Sequence, residues 1–391
     1  MEGDFIKIND WLLPLSWIYG AGVRLRNQMF EMGMLKSRSF DIPVISVGNI
    51  TVGGSGKTPH VEYLINLLRD KVKVAVLSRG YKRKSKGYML ATADTPMSDI
   101  GDEPYQMKKK FADIYVAVDK DRCHGIDQLT ANEETSDTDV ILLDDAYQHR
   151  YVKPGVNILL VDYHRLIMYD KLLPAGRLRE PQKGKARADI VIVSKCPAEL
   201  KPMEFRVITK AMNLFPYQKL YFTTLKYGSL RPIYGGEDRK LDTLTGDTSI
   251  LLLTGIASPQ QMIVDLKPYT ERITPLTFPD HHQYTDADID RINAEFEAMK
   301  GNDKMIVTTE KDNARLCGME GLSDEVKKII YVLPVEVGFM LDQEEDFNEN
   351  IIGYVRKNSR NSILAKAKDD NKSDNSDNSG NRTRTISFRN N

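Results

Sequence analysis

The chain has 391 residues and a mass of 44.4 kDa, room for two domains at about 100 to 200 residues each. Hydrophobic residues make up 41%, aromatic residues 8% and charged residues 28%, which excludes a collagen-like repeat, a wholly disordered chain and a polytopic membrane protein. The 55 Lys and Arg balance 55 Asp and Glu, so any preference for anions has to come from local clusters, and no nucleic-acid partner is indicated.

Both tryptophans, Trp11 and Trp17, fall in an uncharged run over residues 11–23. The run is shorter than the roughly 20 residues that cross a bilayer. Beyond it, Arg24, Arg26, Lys36 and Arg38 stand against Glu31, a net +3 over residues 11–40. Indole rings beside cations suit a helix lying on an anionic membrane surface. A terminal helix docked on its own domain accounts for the same pattern, and both readings stand at this level. The run has neither the preceding charge nor the cleavage site of a signal peptide, and Cys123, Cys196 and Cys317 fit no CxxC spacing; reduced cytosolic thiols are expected.

From residue 42 onward, short runs rich in Val, Ile and Leu recur at 43–47, 72–77, 114–118, 140–143, 158–161 and 190–193, separated by helical segments. Runs without polar alternation predict strands buried on both faces of a parallel sheet, hence an α/β fold. Residues 218–234 read as extended and more polar, and the strand pattern restarts at 250–253, 305–307 and 329–332. The organisation expected is a membrane-associating segment over 1–40, a nucleotide-binding domain over 41–214, an extended linker over 215–247, a smaller α/β domain over 248–357 and a polar tail over 358–391. The tail lacks any apolar residue from 369 to 382 and cannot offset its ordering entropy.

The sharpest chemical signal is PVISVGNITVGGSGKTP at 43–59, a strand running through glycines into GKT at the start of a helix. Such a loop wraps phosphates with its backbone amides, here Thr51, Val52, Gly53, Gly54, Ser55 and Gly56; Lys57 reaches the terminal phosphates and Thr58 can ligate magnesium. Thr51 stands where the strict GxxxxGK(S/T) pattern has its first glycine. The apolar run 140–143 ends in Asp144 and Asp145, where a carboxylate can hold Mg2+ or its waters. Ser194-Lys195-Cys196-Pro197 offers no guanine-reading NKxD, which favours ATP over GTP. Two basic clusters follow predicted strands: 79–86 with five cations and 171–187 with six cations and one acid, Glu180. Loops at the carboxyl ends of parallel strands are where α/β folds place ligands, so an anionic substrate is expected there. The six histidines show no metal-ligand spacing, which argues against a zinc hydrolase.

Taken in order, VGNITVGGSGKTP, LSRGYKR, GDEPYQM, DRCHG, LLDDAYQHR, LLPAGRLREP, FPDHHQYTDADI and TTEKDNARL resemble the tetraacyldisaccharide 4'-kinases, the lipid A 4'-kinases of Gram-negative bacteria. The resemblance implies transfer of the γ-phosphate of ATP to the 4'-hydroxyl of an acylated glucosamine disaccharide 1-phosphate at the cytoplasmic face of the inner membrane, by a peripheral enzyme of two α/β/α domains with no protein partner. It further implies that Asp102 of GDEP is the catalytic base, assisted by His281 of PDHH. Lys57 and Thr58 would bind phosphate and metal, Asp144 and Asp145 would serve metal and catalysis, and Arg122, Gln148, Arg179 and Glu180 would position substrate. Ala146 stands where the family often has glycine. The alternative is a phosphate-loop ATPase or GTPase that acts as a conformational switch; it shares the loop and Asp144 but has no use for GDEP or PDHH.

Overall fold

In the computed structural model, which describes residues 8–256, 259–280, 282–316 and 319–359, the apolar runs pair side by side into two sheets. The large sheet contains β1 (Val44–Gly48), β2 (Val74–Ser78), β3 (Met89–Leu90), β4 (Tyr115–Val118), β5 (Val140–Asp144), β6 (Val156–Asp162), β7 (Ile190–Ser194) and β8 (Lys219–Tyr227). The small sheet contains β9 (Arg231–Pro232), β10 (Ser249–Thr254), β11 (Ile273–Thr277), β12 (Lys304–Thr309) and β13 (Ile330–Leu333), after which β14 (Val335–Phe339) returns to the large sheet. Spatial order is β14-β8-β7-β6-β1-β5-β2-β4-β3 in the large sheet and β11-β10-β12-β13-β9 in the small one. Pairing is parallel throughout except at the outermost strands β3, β14 and β9.

Every residue of β1, β2, β5 and β7 is buried, which is why these segments read as continuous apolar runs. Each aliphatic side chain so removed from water contributes about 1.5–3 kcal/mol. Their helices cover both faces, with Val61, Leu64, Ile65 and Leu68 of the Lys57–Leu68 helix packed on one core and Ile126 and Leu129 of the Arg122–Ala131 helix on another.

The two sheets are joined by two chain crossings, between β8 and β9 and between β13 and β14, and β8 and β14 run antiparallel at the edge of the large sheet. The chain end differs from the expected grouping. The Glu344–Asn358 helix lies on the large sheet, where Phe347, Ile351 and Val355 are buried with Ile45 and Val47. Its Tyr354 hydroxyl donates to the Val44 carbonyl, and a Cβ on Gly155 would come within 2.0 Å of that hydroxyl oxygen. The sequence placed this stretch with the smaller unit by proximity along the chain; the apolar face that it presents matches the other core.

The Leu13–Glu31 helix has one docked face and one exposed face. One face docks: the Ser16 hydroxyl donates to the Leu172 carbonyl, the Asn9 amide to the Ala175 carbonyl, and Gly20 lies so close to Leu172 that a Cβ would meet it at 2.7 Å. The other face leaves Trp17 and Ile18 both 71% exposed, with Leu15 and Leu25, and Trp11 in the turn before the helix, also open to solvent. No described helix is long and apolar enough to cross a membrane.

Because Ile351 is fully buried, Ile351→Ala should lower the unfolding free energy by about 2–5 kcal/mol in urea titration. A loss near zero would detach the C-terminal helix from the core.

Candidate active site

The parallel register sets the site. β1 and β5 are neighbours, and Val47 pairs with Asp144, so the strand that feeds the glycine loop delivers its partner's terminal carboxylate beside it. Gly53 and Gly56 turn the loop with φ of 118° and 76°, values that favour glycine, and the helix begins at Lys57 immediately after Gly56. Thr51 bridges Leu178, and the exposed Val52 donates its amide to the Arg177 carbonyl, so the loop is backed by the LLPAGRLREP segment.

Side chains from other elements hold the loop. Asn49 Nδ2 donates to Ser55 Oγ at 2.8 Å, Ser194 Oγ to the Ser55 carbonyl at 2.9 Å, and Lys195 Nζ to the Gly54 carbonyl. His60, one of the six histidines without metal-ligand spacing, is buried in the helix behind the loop. Its Nδ1 lies 2.7 Å from the Gly56 carbonyl and Nε2 3.0 Å from Thr223 Oγ1. The carbonyl can only accept, so Nδ1 carries the proton and Nε2 accepts from the threonine hydroxyl. Burial, with the Lys195 charge, lowers its pKa to about 4 and keeps the ring neutral.

Two adjacent carboxylates have opposite electrostatics. Asp144 is buried and its pKa is pushed up to about 7, by desolvation first and then by Glu103 and Asp145; Lys57 and Arg122 offset only part of this. Ser78 Oγ donates to its Oδ2 at 3.2 Å. At Asp145 burial acts in the same direction but is outweighed by Lys57, then Arg179, which hold its pKa below the usual carboxylate range. Lys57 Nζ lies 3.6 Å from Asp145 Oδ1, and Arg179 Nη1 donates to Asp145 Oδ2 at 3.4 Å and to Gln148 Oε1 at 3.3 Å. Asp145 takes a left-handed backbone, φ 46°, unusual for a side chain with a Cβ and of the kind that concentrates at functional sites. Ala146 is not among the positive-φ residues, so this turn does not need glycine there. Oδ1 of Asp144 and Oδ1 of Asp145 are buried without hydrogen-bond donors, a donor set that fits a hard divalent cation.

The remaining expected residues divide between contact and support. Gln148 Nε2 donates to the Asn49 carbonyl at 2.6 Å and to Glu180 Oε1 at 3.2 Å, and Glu180 is itself paired to Arg187 at 2.8 Å. Arg122 is fully buried: its Nη1 donates to the Asp119 carbonyl and Nη2 to the Asp144 carbonyl, and burial lowers its pKa to about 10. It supports the floor of the site from beneath Asp144.

Asp102 opens the Asp102–Lys110 helix after Gly101, whose φ is 91°. Gly101 packs on Gly80 and Tyr81 of the SRGYKR loop, where a Cβ would meet the Tyr81 carbonyl at 3.0 Å. Glu103, one residue on and not singled out from sequence, is the charge that raises Asp144 after burial. A cleft beside Asp102 is lined by Tyr81, Lys82, Met97, Ser98, Gly101 and, from the small unit, Gln283. His281 lies outside the described residues. Neighbouring Asp280 is 3.5 Å from Lys311 Nζ, which also lies 3.5 Å from Glu103 and 3.9 Å from Asp102.

The raised Asp144 pKa gives a signed expectation. Between about pH 4 and 7 the folded state binds a proton there that the unfolded chain releases, so this group makes stability fall as pH rises through that window. Without magnesium or nucleotide, Asp144→Asn should remove that fall in a pH series of chemical unfolding. An unchanged pH slope would refute the assignment.

The tetraacyldisaccharide-1-P 4'-kinase family profile matches residues 8–356. Among curated proteins, tetraacyldisaccharide 4'-kinase of Phocaeicola vulgatus is 61% identical over 93% of this chain and 99% of its own length. That of Bacteroides thetaiotaomicron is 54% identical over 93% and 98%. Among solved structures, LpxK from Aquifex aeolicus, crystallised in complex with ATP, superposes with a TM-score of 0.67 at 31% identity, covering 88% of this chain and 98% of that one. With the glycine loop, the paired aspartates and GDEP placed as described, the chain belongs to the tetraacyldisaccharide-1-P 4'-kinase family.

Proposed function

We propose that this protein transfers the γ-phosphate of ATP to the 4'-hydroxyl of a tetraacyldisaccharide 1-phosphate, as the names of its relatives describe. The observation that carries the reading is the convergence on one site of Lys57 and Asp145 at the glycine loop with the Asp102–Lys110 helix, whose Glu103 acts electrostatically on Asp144. Family membership favours this over a conformational switch.

Backbone amides of residues 53–58 and the N-terminus of the Lys57–Leu68 helix hold the phosphates, the Val52 amide being taken by the Arg177 carbonyl. Lys57 exchanges part of its attraction to Asp145 for the γ-phosphate oxygens, neutralising charge as the transferring group passes between oxygens. Asp144 and Thr58 are the residues that would hold Mg2+, which supplies further charge neutralisation on the phosphates. Arg179, fixed by Asp145 and Gln148, keeps a second cation at the site. Asp102 accepts the proton of the sugar hydroxyl, assisted by His281 as the family resemblance implies. Gln148 and Glu180 hold Arg179 and the loop in register.

The exposed apolar face of the Leu13–Glu31 helix supports peripheral binding to an anionic membrane at the cytoplasmic face of the inner membrane, where an acylated acceptor resides. Docking by the opposite face makes the active site and the lipid surface part of one rigid body: Tyr19 Oη donates to the Arg179 carbonyl and Arg26 to the Gln148 carbonyl.

The direct test incubates the protein with γ-labelled ATP, Mg2+ and detergent-dispersed acylated disaccharide 1-phosphate. Label should move to the lipid, whereas label released only as free phosphate would favour a switch. Lys57→Ala should cut transfer at least about 100-fold, as loss of one charge-stabilising donor does elsewhere. Replacing Trp17 and Ile18 with serine leaves the docked face intact and should release the protein from anionic vesicles in co-sedimentation; undiminished pelleting would refute the membrane role of this face.

A further inference from the structure

The TTEKDNARL segment is distinctive in sequence, yet the chemistry above makes no use of it. In the structure it forms the end of β12 and the Glu310–Leu316 helix of the small unit, and it points back into the large one. Arg315 has a side chain only 1% exposed, and its Nη2 donates to Asp102 Oδ2 at 2.5 Å. Its other amino group, Nη1, donates to Asp312 Oδ1 at 3.1 Å and to the Gly255 carbonyl at 3.0 Å.

Asp312 is in turn completely buried, with Oδ2 accepting from the Gly255 amide at 2.9 Å and from Thr309 Oγ1 at 2.7 Å. The guanidinium is thus clamped on one edge by its own unit and presents the other edge to a carboxylate 213 residues earlier in the chain. Gly255 leaves no room to shift: a Cβ there would sit 2.9 Å from Asp312 Oδ1. A planar fork serves this geometry because its two ends donate at a fixed angle; an ammonium serves one point. Beside it, Lys110 on the Asp102–Lys110 helix bridges Glu62 at 2.6 Å and Glu310 at 2.7 Å, a second tie between the units.

We propose that Arg315 is a positioning residue for phosphoryl transfer: reaching from the small unit, it fixes the Asp102 carboxylate in the orientation that receives the acceptor's proton, so that Asp102 is competent only while the two units are joined. This rests on the kinase reading of the same site. As the acceptor oxygen bonds to the γ-phosphorus and the bond from that phosphorus to the bridging oxygen of ADP breaks, ADP leaves with the electron pair and the hydroxyl proton passes to Asp102. In this role Arg315 acts by holding the base.

The test compares wild type, Arg315→Met and Arg315→Lys in the labelled-transfer assay, with binding of a non-hydrolysable ATP analogue as the check on folding. Arg315→Met should bind the analogue normally and lose about 100-fold in kcat with little change in KM for ATP or lipid, because a misplaced base costs rate and not ground-state binding. Arg315→Lys keeps a charge opposite Asp102 and Asp312 but not the fork, and should recover part of the loss, settling about tenfold below wild type. It also carries the test alone should the methionine variant fail to fold. A wild-type rate in either variant, equal rates in both, or a loss confined to KM would overturn the proposal. Absence of label on the lipid with the wild-type protein would instead defeat the kinase reading beneath it.

Discussion

The arrangement turns on negative charge crowded at the mouth of a parallel sheet. Glu103 and Asp145 both act on the buried carboxyl of Asp144, and Lys57 and Arg122 compensate them incompletely. The cost appears at Asp144, whose carboxyl holds its proton up to about pH 7, while Asp145, closer to Lys57 and Arg179, stays ionised. Such a site is under-neutralised by protein alone and suited to a divalent cation bound with a polyanion, since the two arrive with complementary charges. Much of the surrounding structure, from buried Arg122 to neutral His60, keeps these groups in place without adding further negative charge.

The second constraint is that the acceptor side is shared. Asp102 and Glu103 belong to the large unit, but the cations nearest them, Lys311 and Arg315, come from the small one. A buried ion pair contributes little net stability, because desolvation offsets most of its attraction, yet breaking one partner away is costly. The Arg315–Asp102 contact is therefore better suited to fixing geometry than to strengthening the fold. The crossings beside β9 and β14 tether the units, and these charges set how they meet.

The N-terminal helix docks by one face and leaves the other open to solvent. Ser16, Gly20 and Phe30 are buried, whereas Trp17, Ile18 and Leu25 lie exposed on the same 19-residue helix. A helix has enough circumference to do both, since residues three or four apart share a face and those between them do not.

The sequence by itself determined the α/β class, the phosphate loop and the pair Asp144–Asp145, because these rest on local patterns: uninterrupted apolar runs, glycines at a strand end, acids at the next. The resemblance carried by GDEP and PDHH is what assigns roles to Asp102 and to His281, which lies outside the described residues. Tertiary structure alone decided the rest. That Glu103 raises Asp144, that His60 reaches Thr223, that Arg122 lies beneath the site, and that the Glu344–Asn358 helix returns to the first core all depend on contacts between segments far apart in the chain. Arg315 is the clearest case. Alone in TTEKDNARL it is one cation among 55 Lys and Arg, and only the packing of one helix against another brings its guanidinium to Asp102, because a charge acquires a role from the distance and burial of its partner, which no local pattern encodes.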